Sequence, residues 1–165
     1  MAARTSWVAD ALGQGLTYGT LINSADMASL ASGSSVLSTV TTIANGTNLA
    51  MFMDISYLLA IASNTIAASA NFAFWIYNLN QDGTHFGDNF LPTAGTAVVG
   101  TPSFPPCAIV AIPAVATTTN MYGTATGIVI PPGSFRVAIQ NNSGFALTAG
   151  TQTVQFRTYN INLNA

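Results

Sequence analysis

The sequence predicts an all-β protein, a single antiparallel β-sandwich or jelly roll with an N-terminal arm, and three observations carry that expectation. The first is composition: 21 Thr, 14 Asn and 13 Ser stand beside 14 Gly and 7 Pro. Thr favours strands, while Asn, Gly and Pro supply turns. The second is patterning, since about seven to nine short strand-like runs recur at roughly 8–12-residue spacing, as sandwiches and jelly rolls require. The third is the lack of a long amphipathic helix. The run 55–70 admits a helical reading through Leu58, Leu59, Ala62 and Ile66, but it has no clear start or stop signal.

Residues 1–33 show no sustained alternation and contain Gly13, Gly15, Gly19 and Gly33. They read as an N-terminal arm or an edge segment, in which Ser6 can cap a short helical turn through Trp7, Val8, Ala11 and Leu12 until Gly13 ends it. Residues 34–165 read as the sandwich domain. Val36, Ser38 and Val40 alternate with Leu37, Thr39 and Thr41 up to Asn45-Gly46, a dipeptide that favours a hairpin turn, and the run 49–61 returns from it. Asn71 to Leu79 sets Phe72, Phe74 and Ile76 against Ala73, Trp75 and Tyr77. With both faces apolar, that strand is expected to be buried on both sides. Asp82-Gly83 marks another turn, and Pro92, Gly95, Gly100, Pro102, Pro105 and Pro106 mark a long excursion expected over one end of the sandwich. Strands follow at 108–112, around 127–130 and at 135–140, with a corner at Pro131-Pro132-Gly133. Asn141-Asn142-Ser143-Gly144 turns the chain into a last strand, 151–163, whose Val154 and Phe156 share one face and whose Gln155 and Arg157 share the other.

Charge is the scarcest feature of the chain. Three Arg (Arg4, Arg136, Arg157) and five Asp (Asp10, Asp26, Asp54, Asp82, Asp88) are its only charged side chains, with no Lys and no Glu. A typical soluble domain of this length carries about 40 charges. Spread over the roughly 7,700 Å² such a monomer exposes, eight charges leave about one per 1,000 Å². Three Arg cannot neutralise the six to ten phosphates a nucleic-acid binder contacts, so no nucleic-acid partner is expected. No run reaches the roughly 18–20 apolar residues of a spanning helix, so no membrane partner is expected either. The segment after Arg4 holds Asp10, Gly13, Gln14 and Gly15 where a secretory signal would be apolar, which places the chain in the cytosol where it is made unless it leaves within something larger.

Catalytic chemistry finds little to stand on. His85 lies between two carboxylates in Asp82-Gly-Thr-His85-Phe-Gly-Asp88, residue types competent for zinc or manganese, yet turn and loop roles already account for the Asp residues. There is no Gly-x-Ser-x-Gly elbow and only one His for any triad. Cys107 enters an apolar run after Pro105-Pro106 and reads as a small buried hydrophobe. No enzyme, metal or cofactor is therefore expected. Trp75, Tyr77, Tyr122 and Tyr159 are candidates for sugar stacking, although alternating aromatics in strands more often form core or subunit contacts. Interface roles are expected for Trp7 and Leu12 as anchors of the first segment, for Trp75, and for Arg136 and Arg157, since Arg suits directed bonds across subunit contacts.

The stretch Gly127-Ile-Val-Ile-Pro-Pro-Gly-Ser-Phe-Arg-Val-Ala-Ile-Gln-Asn-Asn-Ser-Gly144, with Gln155-Phe-Arg-Thr-Tyr-Asn160 and more loosely Asp82-Gly83 to Pro105-Pro106, resembles small structural proteins encoded among the head genes of tailed bacteriophages. The resemblance implies a jelly-roll decoration or cement protein on the outer capsid surface of the virion. It brings no catalytic residues. Its partners would be the major capsid protein lattice and further copies of itself, as a dimer or trimer. A minor tail or head-fibre component and a carbohydrate-binding attachment module are the alternatives.

Overall fold

Every strand that the structure defines finds its partner far away along the chain. The computed structural model describes residues 4–9, 18–37, 42–46, 49–61, 66–80, 87, 96, 98–113, 120–150 and 152–164, with the backbone alone for 4–9, 99 and 162–164. Among them are eleven strands and one helical turn, arranged as two antiparallel sheets. In the first sheet, β11 (Thr153–Asn164) runs down the middle. On one side it pairs with β5 (Phe52–Ala60), which in turn pairs with β9 (Asn120–Val129) at the edge. On its other side β11 pairs with β1 (Arg4–Ala9) and β2 (Gly19–Ile22) in succession. In the second sheet, β10 (Gly133–Asn142) is central. It pairs on one side with β6 (Asn71–Asn78), followed by β8 (Ala108–Ala111), and on the other with β3 (Ser34–Leu37) and β4 (Ile43–Asn45). The short β7 (Val98–Val99) closes that side against β3.

Alternation decides which side chains meet between the sheets. Met53, Ile55 and Leu59 from β5 and Val154 and Phe156 from β11 face Phe72 and Phe74 from β6 and Phe135, Val137 and Ile139 from β10. Burying side chains of this size contributes about 1.5–3 kcal/mol each. The expected two-sided burial of β6 holds. Its other face packs Ala73, Trp75 and Tyr77 with Leu37 and Ala138, and Phe104 covers them.

The strand order bears on four points of the sequence reading, correcting some and choosing between alternatives at residues 1–33. Asn45-Gly46 does not close a hairpin, because β4 lies in one sheet and β5 in the other. Pro131-Pro132 is the corner expected, and it carries the chain from β9 to β10 across the sandwich. Second, Ser6 and Trp7 lie in strand β1 and not in a helical turn, whereas the expected strand within 49–61 is found as β5. Third, the described part of residues 1–33 is built into the sandwich as its edge segment: Leu21, Ile22, Met27 and Leu30 are buried in the core. Only the single turn α1 (Ser24–Met27) interrupts it. Fourth, the described stretch 98–106 of the Pro-rich excursion packs across the outer face of the second sheet. Gln140 Nε2 and Ser35 Oγ donate to the Gly100 carbonyl at 2.7 and 3.2 Å, and Trp75 Nε1 donates to that of Phe104 at 3.0 Å.

Candidate interaction surface

The outer face of the second sheet is thus partly covered by the protein's own 98–106 segment, and on that of the first sheet Tyr18 packs over Arg157 while Asp54 and Tyr159 are buried. The one ion pair defined among the described residues lies there. Asp54 on β5 and Arg157 on β11 are directly opposite in register, and the guanidinium reaches Asp54 Oδ2 through Nε at 2.9 Å and Nη2 at 2.8 Å. A bulge sits beside the pair: Met53 faces Ile128 and Ile55 faces Ala125, so Thr126 and Gly127 share the place opposite Asp54. Gly127 takes φ +69°, which suits glycine, and its amide donates to Asp54 Oδ1 at 2.9 Å. The Tyr159 hydroxyl donates to the same oxygen at 3.1 Å. Burial, then this hydrogen bond to Asp54, holds the Tyr159 phenol above its ordinary range. The Tyr18 ring lies 5.0 Å from the guanidinium carbon, and Phe52 stacks on Tyr159.

Of the residues expected at a subunit contact, two are committed inside the chain. Trp75 is 2% exposed and its ring N–H is bonded to Phe104, because the 98–106 segment supplies the cover that a neighbour was expected to give. Arg157 makes its directed bond to Asp54. Arg136 is half-buried on the outer face of the second sheet, where its Nε donates to Thr42 Oγ1 at 3.0 Å. Trp7 lies in β1, paired with Ile161 along the backbone, and its side chain is outside the described residues, as is Leu12. The Asp82, His85 and Asp88 group is also outside them. Of the four aromatics considered for sugar stacking, Trp75, Tyr77 and Tyr159 are buried, and Tyr122 alone is exposed, at 80%.

Cys107 is half-buried at the wall of a groove, less enclosed than the buried hydrophobe the sequence suggests. Its Sγ donates to the Phe74 carbonyl at 3.2 Å, and burial pushes its pKa up to about 12. A thiol raised in the folded state lends stability at neutral pH that is lost as pH climbs from the ordinary thiol range towards that value. Alkylation of the native chain by iodoacetamide at about pH 8 is expected to be at least tenfold slower than of the urea-unfolded chain; equal rates would contradict the burial.

The surface that sequence reasoning missed is apolar. Among the described residues, Leu49, Met51, Ile109, Tyr122 and Val129 are the large hydrophobic side chains most exposed. In the sequence Ile109 and Val129 look like core residues, and only the pairing shows otherwise: among the described strands β8 and β9 come last in their sheets, on the same side of the sandwich. Cys107 shares a groove with Val129, and Ile112 shares another with Met121, so β8 runs alongside β9 across this open side. Val129 to Pro132 forms a ridge. One groove beside it, of about 280 Å³, is walled by Leu49 and Met51, and a second, of about 460 Å³, by Ile76, Phe104 and Pro105. A third, of about 240 Å³, opens at the other end of β9 between Tyr57, Phe72 and Tyr122. Neither β8 nor β9 contains a charged residue. Set against models of protein families, curated proteins and solved structures, the chain matches none.

Proposed function

We propose that the protein is a virion structural protein, a decoration or cement protein that stabilises a bacteriophage head by apolar and hydrogen-bonded contacts with the capsid lattice and without turnover. The observation that carries this reading is the apolar β8–β9 side of the sandwich, where exposed Leu49, Met51, Tyr122 and Val129 line three grooves and Ile109 is exposed on β8. Isolated monomers rarely keep large apolar patches in water, and a lattice component has neighbours to cover them. Multivalent contact would then convert weak single sites into firm attachment. The resemblance of residues 127–144 and 155–160 to phage head proteins supports the same reading.

Attachment of this kind is expected to depend little on ionic strength. Exposed charge pairs contribute about 0–1 kcal/mol and are screened beyond about 8 Å at physiological salt, whereas apolar burial contributes about 25 cal/mol per Å². Occupancy on purified particles should stay level between about 0.05 and about 1 M sodium chloride and fall through a urea series. Release by salt alone would overturn the mechanism. Exposed Tyr122 favours a second reading, a carbohydrate-binding attachment module, which release by a free sugar would single out.

A further inference from the structure

We infer that β9 pairs with β9 of a second copy, antiparallel about a two-fold axis, so that the first sheet continues from one protomer into the next. The inference rests on reading the chain as an assembly component, and it specifies which side of the sandwich meets which partner.

Among the described residues β9 pairs with β5 and with no other strand, so within them one row of its backbone N–H and C=O groups has no strand partner over ten residues. Such an edge templates further pairing, and proteins that keep it free blunt it with Lys, Pro or inward charges. In β9 the only such device is the bulge at Thr126 and Gly127, and the stretch from Asn120 to Ala125 is regular and uncharged. The occupant follows from charge and area. A two-fold sets a strand antiparallel to its own copy, the arrangement an isologous interface demands. Like charges opposite one another would forbid self-pairing, and this strand has none. A ten-residue strand spans about 34 Å, and two sheets about 10 Å apart with their side chains make an edge about 20 Å wide. The product, about 700 Å², is close to the roughly 800 Å² per partner of a standard stable interface. Tyr122 and Val129, exposed along β9, would lie beside the same contact.

The test uses the full chain in solution, without particles, so that its failure is distinct from a failure of the capsid reading. Sedimentation at tens of micromolar should give a dimer. Thr124 is exposed near the middle of β9, and Thr124→Lys should weaken dimerisation about a hundredfold by setting like charges near the axis. Thr124→Glu should do the same, and mixing the two variants should restore a dimer containing one of each. A wild-type monomer overturns the inference, as does a Thr124→Lys variant that dimerises like the wild type. Two monomeric variants that stay monomeric when mixed overturn it as well. Restoration on mixing supports it and shows that neither variant is misfolded.

Discussion

Replacing Arg157 with Met is expected to cost about 3–4 kcal/mol of folding stability, near the usual penalty for removing one partner of a buried ion pair. The two partners differ in exposure, with Arg157 32% exposed and Asp54 3%. Removing the arginine therefore strands a carboxylate that water cannot reach, which costs more than leaving a partly wet guanidinium unpaired. The carboxylate also holds the bulge through Gly127 and the Tyr159 hydroxyl, so the damage should spread along the middle of the first sheet. Adding Asp54→Asn should recover most of the loss. The amide removes the stranded charge while its carbonyl still accepts from Gly127 and Tyr159. Urea unfolding of wild type, both single variants and the double variant closes the cycle. A double variant as unstable as the sum of the singles would mean that the two residues act independently.

The same pair shows where sequence reading stops. Asp54 and Arg157 lie 103 residues apart, and only strand register brings them together. From the sequence, Asp54 was an interruption in an apolar run. The legible strands were those with apolar residues on both faces or in clear alternation, as in β6, β10 and β11. The first half of β9 was not legible, because Met121 to Thr126 mixes Gly, Thr and Ala with no strong alternation. Turn chemistry misled at Asn45-Gly46 for a physical reason: an arch between sheets and a hairpin within one need the same reversal of the chain. Among the described pairings no strand pairs with its neighbour in sequence, so every pairing is long-range information that local patterns lack. The same topology should make folding slow, since loop-closure entropy must be overcome before any ladder forms. The interaction surface was hidden likewise. Val129 and Ile109 are ordinary strand residues until the sheet order leaves β8 and β9 last.

Asn45→Ala is expected to cost about 3 kcal/mol, from three hydrogen bonds lost at a fully buried side chain. Asn45 is fully buried, and its Nδ2 donates to the Ala50 and Pro131 carbonyls at 2.9 and 2.8 Å while Oδ1 accepts from the Ala50 amide at 2.8 Å. One amide thereby ties the arch between β4 and β5 to the arch between β9 and β10. Asn141 repeats the device: it donates to Leu30 and Phe145 and accepts from Ser143. Gln152 does so too, bonded to Ala60 and Thr148. A chain with few charges fixes its connections with buried neutral amides, which need no counter-ion. Asn45→Asp should be no better than Ala, since it keeps the acceptor but loses both donations and buries a charge. At about 2–4 °C per kcal/mol for a domain of this size, Asn45→Ala should melt about 6–12 °C lower. Alanine at exposed Asn78 should leave melting within about 2 °C of wild type, because surface changes stay within about 0.5 kcal/mol. Because Pro131 belongs to the ridge between two apolar grooves, the Asn45 variant should also occupy particles more weakly at temperatures where it is still folded. Unchanged melting would show that water replaces the amide, and would remove this account of how the ridge is held.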